Sequence, residues 1–271
     1  MKIFKNKKKL IKEISRQRNI AFVPTMGSLH NGHISLINKA KKESANVLVS
    51  IYVNPKQFNS KSNFKKYPRN INKDIAILRK LKIQYLYMPS YKDIYSFESK
   101  SPLYLDTFAK KLCGKFRTDH FKGVVNVINR FLEIVKPHAI FLGIKDFQQL
   151  VLIKLHINKN NISTKVVACP TVRQKNGIAL SSRNIKLDKY QITIAGKIYK
   201  FLKNNKKAIL LESKRNKKLL IFNKISQLGA KKIDYIECIN TKTLKNAKSI
   251  KEKFNIFISY YLGKIRLIDN L

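Results

Sequence analysis

NIAFVPTMGSLHNGH, residues 19–33, passes from an apolar run through a glycine turn into a helix start, and that passage decides the fold. Asn19 to Thr25 is short, apolar and closed by Pro24-Thr25, which reads as a buried strand. Gly27 and Gly32 let the backbone turn tightly. Ile34, Leu36, Ile37 and Ala40 then recur at helical spacing. Outward from this unit the alternation repeats. Asn46 to Val53 reads as a strand, Ile71 to Leu81 as a helix, and Gln84 to Met88 as a strand closed by Pro89. Val124 to Val135 reads as a helix stopped by Pro137, Ala139 to Gly143 as a strand, Asp146 to His156 as a helix, and Lys165 to Ala168 as a strand ended by Pro170. Strands alternating with helices predict an α/β fold with a parallel sheet and right-handed crossovers. After Arg183 the texture changes. Two lysine-rich amphipathic helices, Asp188 to Asn204 and Ser213 to Leu228, precede strands at Lys232 to Ile239 and Phe254 to Leu262. The expectation is an N-terminal parallel-sheet domain over residues 1–172 and a smaller α+β C-terminal domain over 173–271.

The 271 residues are enough to bury a real core. No apolar stretch approaches the ~20 residues that a membrane span needs. Met1 to Leu10 is lysine-rich without the apolar core of a signal peptide. A cytoplasmic protein with no membrane partner is expected. Cys113, Cys169 and Cys238 are scattered, which argues for reduced, buried thiols over disulfides or a cysteine-built metal site. Lys and Arg total 57 against 15 acids, a formal charge of +42. Such an excess can mark nucleic-acid binding. Here the lysines are spread along the whole chain with abundant Asn and Ile, so compositional drift is the preferred reading, and no specific nucleic acid is expected. The charge would still draw in anionic substrates.

Four stretches carry chemistry. In PTMGSLHNGH (24–33), His30 and His33 share one face of a helix start, where exposed N–H groups and the helix dipole favour anions. H-x-x-H alone is more often a capped helix with surface histidines. With the preceding strand and both glycines, phosphate binding is the better reading, and the imidazoles could donate to, or bear charge beside, a departing pyrophosphate. In NPKQF (54–58), Gln57 offers donors and acceptors. In GIKDFQQ (143–149), Lys145 suits phosphate, Asp146 suits Mg²⁺ or a ribose hydroxyl, and Gln149 can face the same crevice. In PTVRQKNGIALSSRN (170–184), Lys175-Asn176-Gly177 forms a turn, and Ser181, Ser182 and Arg183 suit triphosphate oxygens. No serine elbow, H-E-x-x-H or P-loop is present, so positioning and electrostatics are the expected means of catalysis.

Together with SIYVNPKQF, KYPR, HFKGV and the final LGKIRLIDN, these stretches resemble the pantothenate synthetase (pantoate-β-alanine ligase) family over nearly the whole chain. The H-x-G-H element alone is shared with a wider nucleotidyltransferase superfamily. The resemblance implies a Rossmann-like N-terminal domain, a C-terminal lid domain and a homodimer. It implies that pantoate and ATP form pantoyl adenylate and pyrophosphate, and that β-alanine then displaces AMP to give pantothenate. ATP would be held by Met26, Gly27, Ser28, Leu29, His30, Asn31, Gly32 and His33, by Gly143, Ile144, Lys145 and Asp146, and by Val172, Leu180, Ser181, Ser182 and Arg183. His33, His30 and Lys145 would be catalytic. Gln57, Gln149 and Arg117 would hold pantoate and β-alanine, and Mg²⁺ would accompany the triphosphate with no metal ligand set of the protein's own. The chain departs from the family in Ile144, where Glu is usual, and in Arg117-Thr118-Asp119-His120, where Arg-Pro-Gly-His is usual. Lys122, Gln174 and Asn176 are further changes. They lead us to expect an active but slower and less stable enzyme. The rival readings are another H-x-G-H adenylyltransferase, a decayed relative and a nucleic-acid binder.

Overall fold

In the computed structural model, which describes residues 1–215 and 217–271, the opening unit forms as a strand, a turn and a helix. The chain divides into Met1–Pro170 and Thr171–Leu271, two residues ahead of the boundary set from sequence. The first unit runs β1 (Lys2–Phe4), α1 (Lys7–Ile14), β2 (Ala21–Thr25), α2 (Asn31–Glu43), β3 (Val47–Ile51), α3 (Lys61–Lys65), α4 (Ile71–Lys80), β4 (Tyr85–Tyr87), α5 (Tyr91–Tyr95), α6 (Cys113–Phe116), α7 (His120–Val135), β5 (Ala139–Gly143), α8 (Phe147–Lys159) and β6 (Lys165–Cys169). Its strands form one sheet in the order β1-β4-β3-β2-β5-β6, and every pairing is parallel.

Side-chain alternation sorts the sheet into two apolar faces. Phe22, Leu48, Tyr87 and Ile140 pack with Leu10 of α1, Phe131 of α7 and Ile153 of α8. Val23, Val49, Leu86 and Phe141 pack with Ile37 and Ala40 of α2 and Leu78 of α4. Residues of both sets are buried, and the Val, Leu, Ile and Phe side chains each contribute about 1.5–3 kcal/mol. Helix α7 begins one turn before the expected Val124, after Asp119 adopts a left-handed φ of 58°. β1 and α1 are additions to the elements expected from sequence. The lysines of α1 hide a stripe of only two buried residues, Leu10 and Ile14, and Asn6 caps the helix by accepting from Lys8 N and Lys9 N.

The second unit contains α9 (Lys189–Asn204), α10 (Lys206–Lys214), α11 (Lys218–Gln227) and an antiparallel sheet of β7 (Lys232–Asn240), β8 (Phe254–Leu262) and β9 (Ile265–Asn270). This is the expected small α+β fold. The single helix expected at Ser213 to Leu228 is instead the end of α10 followed by α11. Asn216 lies outside the described residues. β9 is an added strand, formed by residues that carry weight in the sequence only as part of the final motif. All three cysteines are buried.

Candidate active site

The chain leaves β2 toward β3 and β4 on one side of the sheet and toward β5 and β6 on the other. Such a reversal opens a crevice at the carboxyl ends of the flanking strands, the usual ligand position in parallel sheets. Residues 26–33 follow β2, 52–57 follow β3 and 144–149 follow β5. The topology therefore gathers the first three candidate stretches at one edge.

After Thr25 the backbone makes two successive left-handed residues, Gly27 (φ 76°) and Ser28 (φ 54°). Consecutive residues of this kind aim their N–H groups into one concavity that attracts an anion. Here the anion is the protein's own: Asp74 of α4 accepts from Ser28 N and from Leu29 N, both at 2.8 Å. Asp74 is 1% exposed. A Cβ at position 27 would lie 2.9 Å from its Oδ2, so only glycine fits.

This turn delivers His30 to the N-cap and His33 to the third position of α2. Gly32 N donates to His30 Nδ1 (3.1 Å) and His30 N donates to His33 Nδ1 (3.3 Å). A backbone N–H can only donate, so both Nδ1 atoms accept and each neutral ring carries its proton on Nε2. The rings lie 4.1 Å apart between centroids. Burial, then the Lys145 charge, lowers His30 to a pKa of about 4. Burial, then His30 and Lys145, lowers His33 to about 3. His33 keeps part of its surface open to solvent, yet dense surrounding atoms strip most of its hydration. In the folded chain both rings rest neutral, with the proton on Nε2.

At the end of β3, Gln57 is buried (7% exposed) on a short 3₁₀ turn, Pro55–Gln57. Its Nε2 lies 2.8 Å from Met26 Sδ. Asn54 holds the turn by accepting from Lys56 N and Tyr95 Oη and donating to Gly123 O. Arg117, half-buried between α6 and α7, meets His120. Asn54, Asp74 and His120 are not among the residues that sequence singles out. Asn54 sits within a stretch where Gln57 is the chosen candidate, and nothing local marks Asp74.

At the end of β5, a Cβ on Gly143 would meet no atom within 4 Å, so this strand end faces open space. Lys145, whose side chain is 17% exposed, places Nζ 3.7 Å from Oδ1 of Asp146, whose side chain is 49% exposed. Ile144 packs against the core beside them. The adjacent glutamines divide their work. Gln148 accepts from Cys113 N and donates to Phe108 O and Lys111 O, fixing the segment before α7. Gln149 is half-buried in the first turn of α8.

In the second unit, Arg173 and Ala179 form an antiparallel bridge around Gly177 (φ 94°), and Leu180 N donates to Val172 O. Ser181 Oγ accepts from Arg183 N, and Arg183 Nη1 donates to Arg266 O (3.2 Å). Ser181, Ser182 and Arg183 are all half-buried.

The Pantoate-beta-alanine ligase family model matches residues 2–271. A pantothenate synthetase of Francisella tularensis subsp. mediasiatica is 43% identical over 261 residues, covering 94% of this chain and 90% of the relative. Among solved structures, a pantoate-beta-alanine ligase from Francisella tularensis, complexed with beta-gamma ATP and beta-alanine, superposes with a TM-score of 0.85. It is 41% identical, and the match covers 100% of this chain and 97% of that one. The enzyme from Thermus thermophilus gives 0.89 at 28% identity, covering 100% and 99%.

Proposed function

This chain belongs to the pantoate-β-alanine ligase family, and from that premise we propose that it joins pantoate to β-alanine at the expense of ATP, releasing AMP and pyrophosphate. The observation that carries the reading is the pair of neutral Nε2–H imidazoles beside Lys145, set at a helix N-terminus at the reversal point of the sheet.

A pantoate carboxylate oxygen attacks the α-phosphorus of ATP, and the bond to the bridging oxygen of the β-phosphate breaks. Charge grows on that oxygen. His30 and His33 offer it two directed N–H donors and Lys145 offers a cation, so stabilisation is by groups already in place. Met26 to His33 and Gly143 to Asp146 would hold the nucleotide, with the open face of Gly143 admitting it closely. Of the second unit's candidates, Ser181 and Ser182 carry hydroxyl donors and Arg183 a guanidinium suited to a triphosphate, whereas Val172 and Leu180 have only apolar side chains. Gln57, Gln149 and Arg117 would orient the acid and the amine. The β-alanine nitrogen then attacks the acyl carbon, the acyl–phosphate bond breaks, AMP leaves with the bonding electrons, and the amine gives up its proton.

Among the described residues no cluster of three or more metal-ligating side chains exists. The exposed carboxylate of Asp146, beside Lys145, fits an ion that arrives on the nucleotide, as Mg²⁺ usually does. Mg²⁺ bound there would neutralise phosphate charge. No described helix is long and apolar enough to cross a membrane. A homodimer working in the cytoplasm completes the proposal.

The test is AMP formation from ATP and Mg²⁺ with pantoate or β-alanine omitted in turn. AMP that requires both substrates and disappears in His33→Ala supports the ligase. AMP formed equally with another acid in place of pantoate would overturn the substrate assignment.

A further inference from the structure

His120 joins the two groups proposed to receive the acid substrate. Its ring is buried at the first position of α7, 7% exposed. Nδ1 lies 2.8 Å from the Gln57 carbonyl oxygen, and Nε2 lies 2.8 Å from Arg117 Nη1. A carbonyl only accepts and a guanidinium only donates. One neutral tautomer satisfies both: Nδ1–H donates to Gln57 O, and bare Nε2 accepts from Arg117. This is opposite to the tautomer imposed on His30 and His33. One turn along α7, Gly123 presses on the same segment. A Cβ there would stand 2.2 Å from Lys56 O and 2.9 Å from Gln57 Cα, and Gly123 O accepts from Asn54. The start of α7 therefore grips the Gln57 turn through its backbone and the arginine through one ring.

We infer that His120 is a positioning residue of the acid-binding site, holding the Gln57 turn and the Arg117 guanidinium in fixed relation through an Nδ1–H imidazole. The inference rests on the reading of Gln57 and Arg117 as the groups that meet pantoate or β-alanine. It assigns His120 no contact with the reacting atoms. Its loss acts on substrate placement, where a displacement of about 1 Å can cost ~100-fold.

Three measurements test it. First, ¹⁵N NMR of the unliganded full chain should show the His120 ring protonated at Nδ1 and bare at Nε2. An Nε2–H ring overturns the inference whatever the substrate is. Second, His120→Phe fills the volume without either hydrogen bond, and His120→Gln retains a donor and an acceptor. The Phe variant should raise the pantoate or β-alanine KM about 10- to 100-fold, with the ATP KM unchanged, and the Gln variant should recover most of the loss. Equal rises in all three KM values would mean a general structural role and sink the idea. Third, in an Arg117→Ala background the Phe substitution should cost far less than in the parent, whereas fully additive losses contradict coupling through Arg117. If the parent forms no AMP with pantoate, the ligase reading has failed, and the ring's tautomer still decides the geometry by itself.

Discussion

Replacing Asp74 by Asn should loosen the turn that presents both histidines, by an amount the hydrogen bonds set. The carboxylate receives Ser28 N and Leu29 N at 2.8 Å each, from a site 1% exposed. A hydrogen bond to a charged group contributes about 1.5–3 kcal/mol, and one between neutral groups about 0.5–1.5. Asn keeps one acceptor oxygen, so one bond falls from the first range to the second, a loss of about 1 kcal/mol. The other oxygen becomes an NH₂ facing an N–H, which forfeits a whole bond of about 1.5–3 kcal/mol. The sum is about 3 kcal/mol. Because the chain has two units, a single global unfolding curve would blur this value. Amide hydrogen exchange reads it locally: Ser28 and Leu29 should exchange about 100-fold faster, at ~1.4 kcal/mol per tenfold. The rate of AMP formation should fall in the same variant, since His30 and His33 follow directly on the turn. Unchanged exchange at these two amides, or full activity despite faster exchange, would refute the argument that Asp74 shapes the phosphate end of the site.

Acid should weaken the fold through the same histidines. His30 and His33 titrate near about 4 and about 3 when folded, against an ordinary 6.5, so between those values the unfolded chain binds more protons. Their contribution is complete above pH 6.5 and is lost as pH falls toward the folded values, with a slope of up to ~1.4 kcal/mol per pH unit per ring. Urea midpoints at pH 7 and pH 5 should differ less in a His30→Gln, His33→Gln double variant than in the parent, and an equal difference would discount these rings. Gly123→Ala should destabilise by about 1–3 kcal/mol and raise the pantoate KM, because backbone atoms of Lys56 and Gln57 block the new methyl. A Tm and KM matching the parent would show that the turn can yield. Finally, +42 charges repel one another. Raising ionic strength from 0.01 to 0.1 M shortens the screening length from about 30 to about 10 Å, so the thermal midpoint should rise by a few degrees, and a flat response would mean that the lysines are already well spaced.

The fold is legible where its determinants are local. In residues 19–40 the apolar run, the two glycines and the helical spacing of Ile34, Ile37 and Ala40 lie within a few turns of chain, and the lysines do not interrupt them. The α1 helix escapes notice because two buried residues among its lysines make no visible stripe. The site divides in the same way. Glycines, histidines and Lys145 announce themselves by type and spacing. Asp74 does not: it sits 46 residues from Ser28, and an acid in the first turn of a helix is unremarked because the dipole already favours it. Gln148 and Gln149 are adjacent and alike in type, and only packing shows that the first is committed to the backbone around α6.

The histidines show why residue type stops short of mechanism. Spacing alone puts two imidazoles at a helix start, and a dipole favouring anions there suits either charged or neutral rings. Three features of the folded chain decide between these. Backbone N–H groups occupy both Nδ1 atoms, so each neutral ring carries its proton on Nε2. Burial removes the hydration that a cation would need, and Lys145 supplies a positive charge that a second or third cation would have to stand beside. A chain with a formal charge of +42 already has ample means to attract a nucleotide. What it lacks without this turn is a pair of fixed N–H donors, and keeping the rings neutral with Nδ1 occupied provides them. Under the proposed reaction, orientation rather than added charge is therefore what the turn, Asp74 and the paired histidine caps would contribute to a departing pyrophosphate.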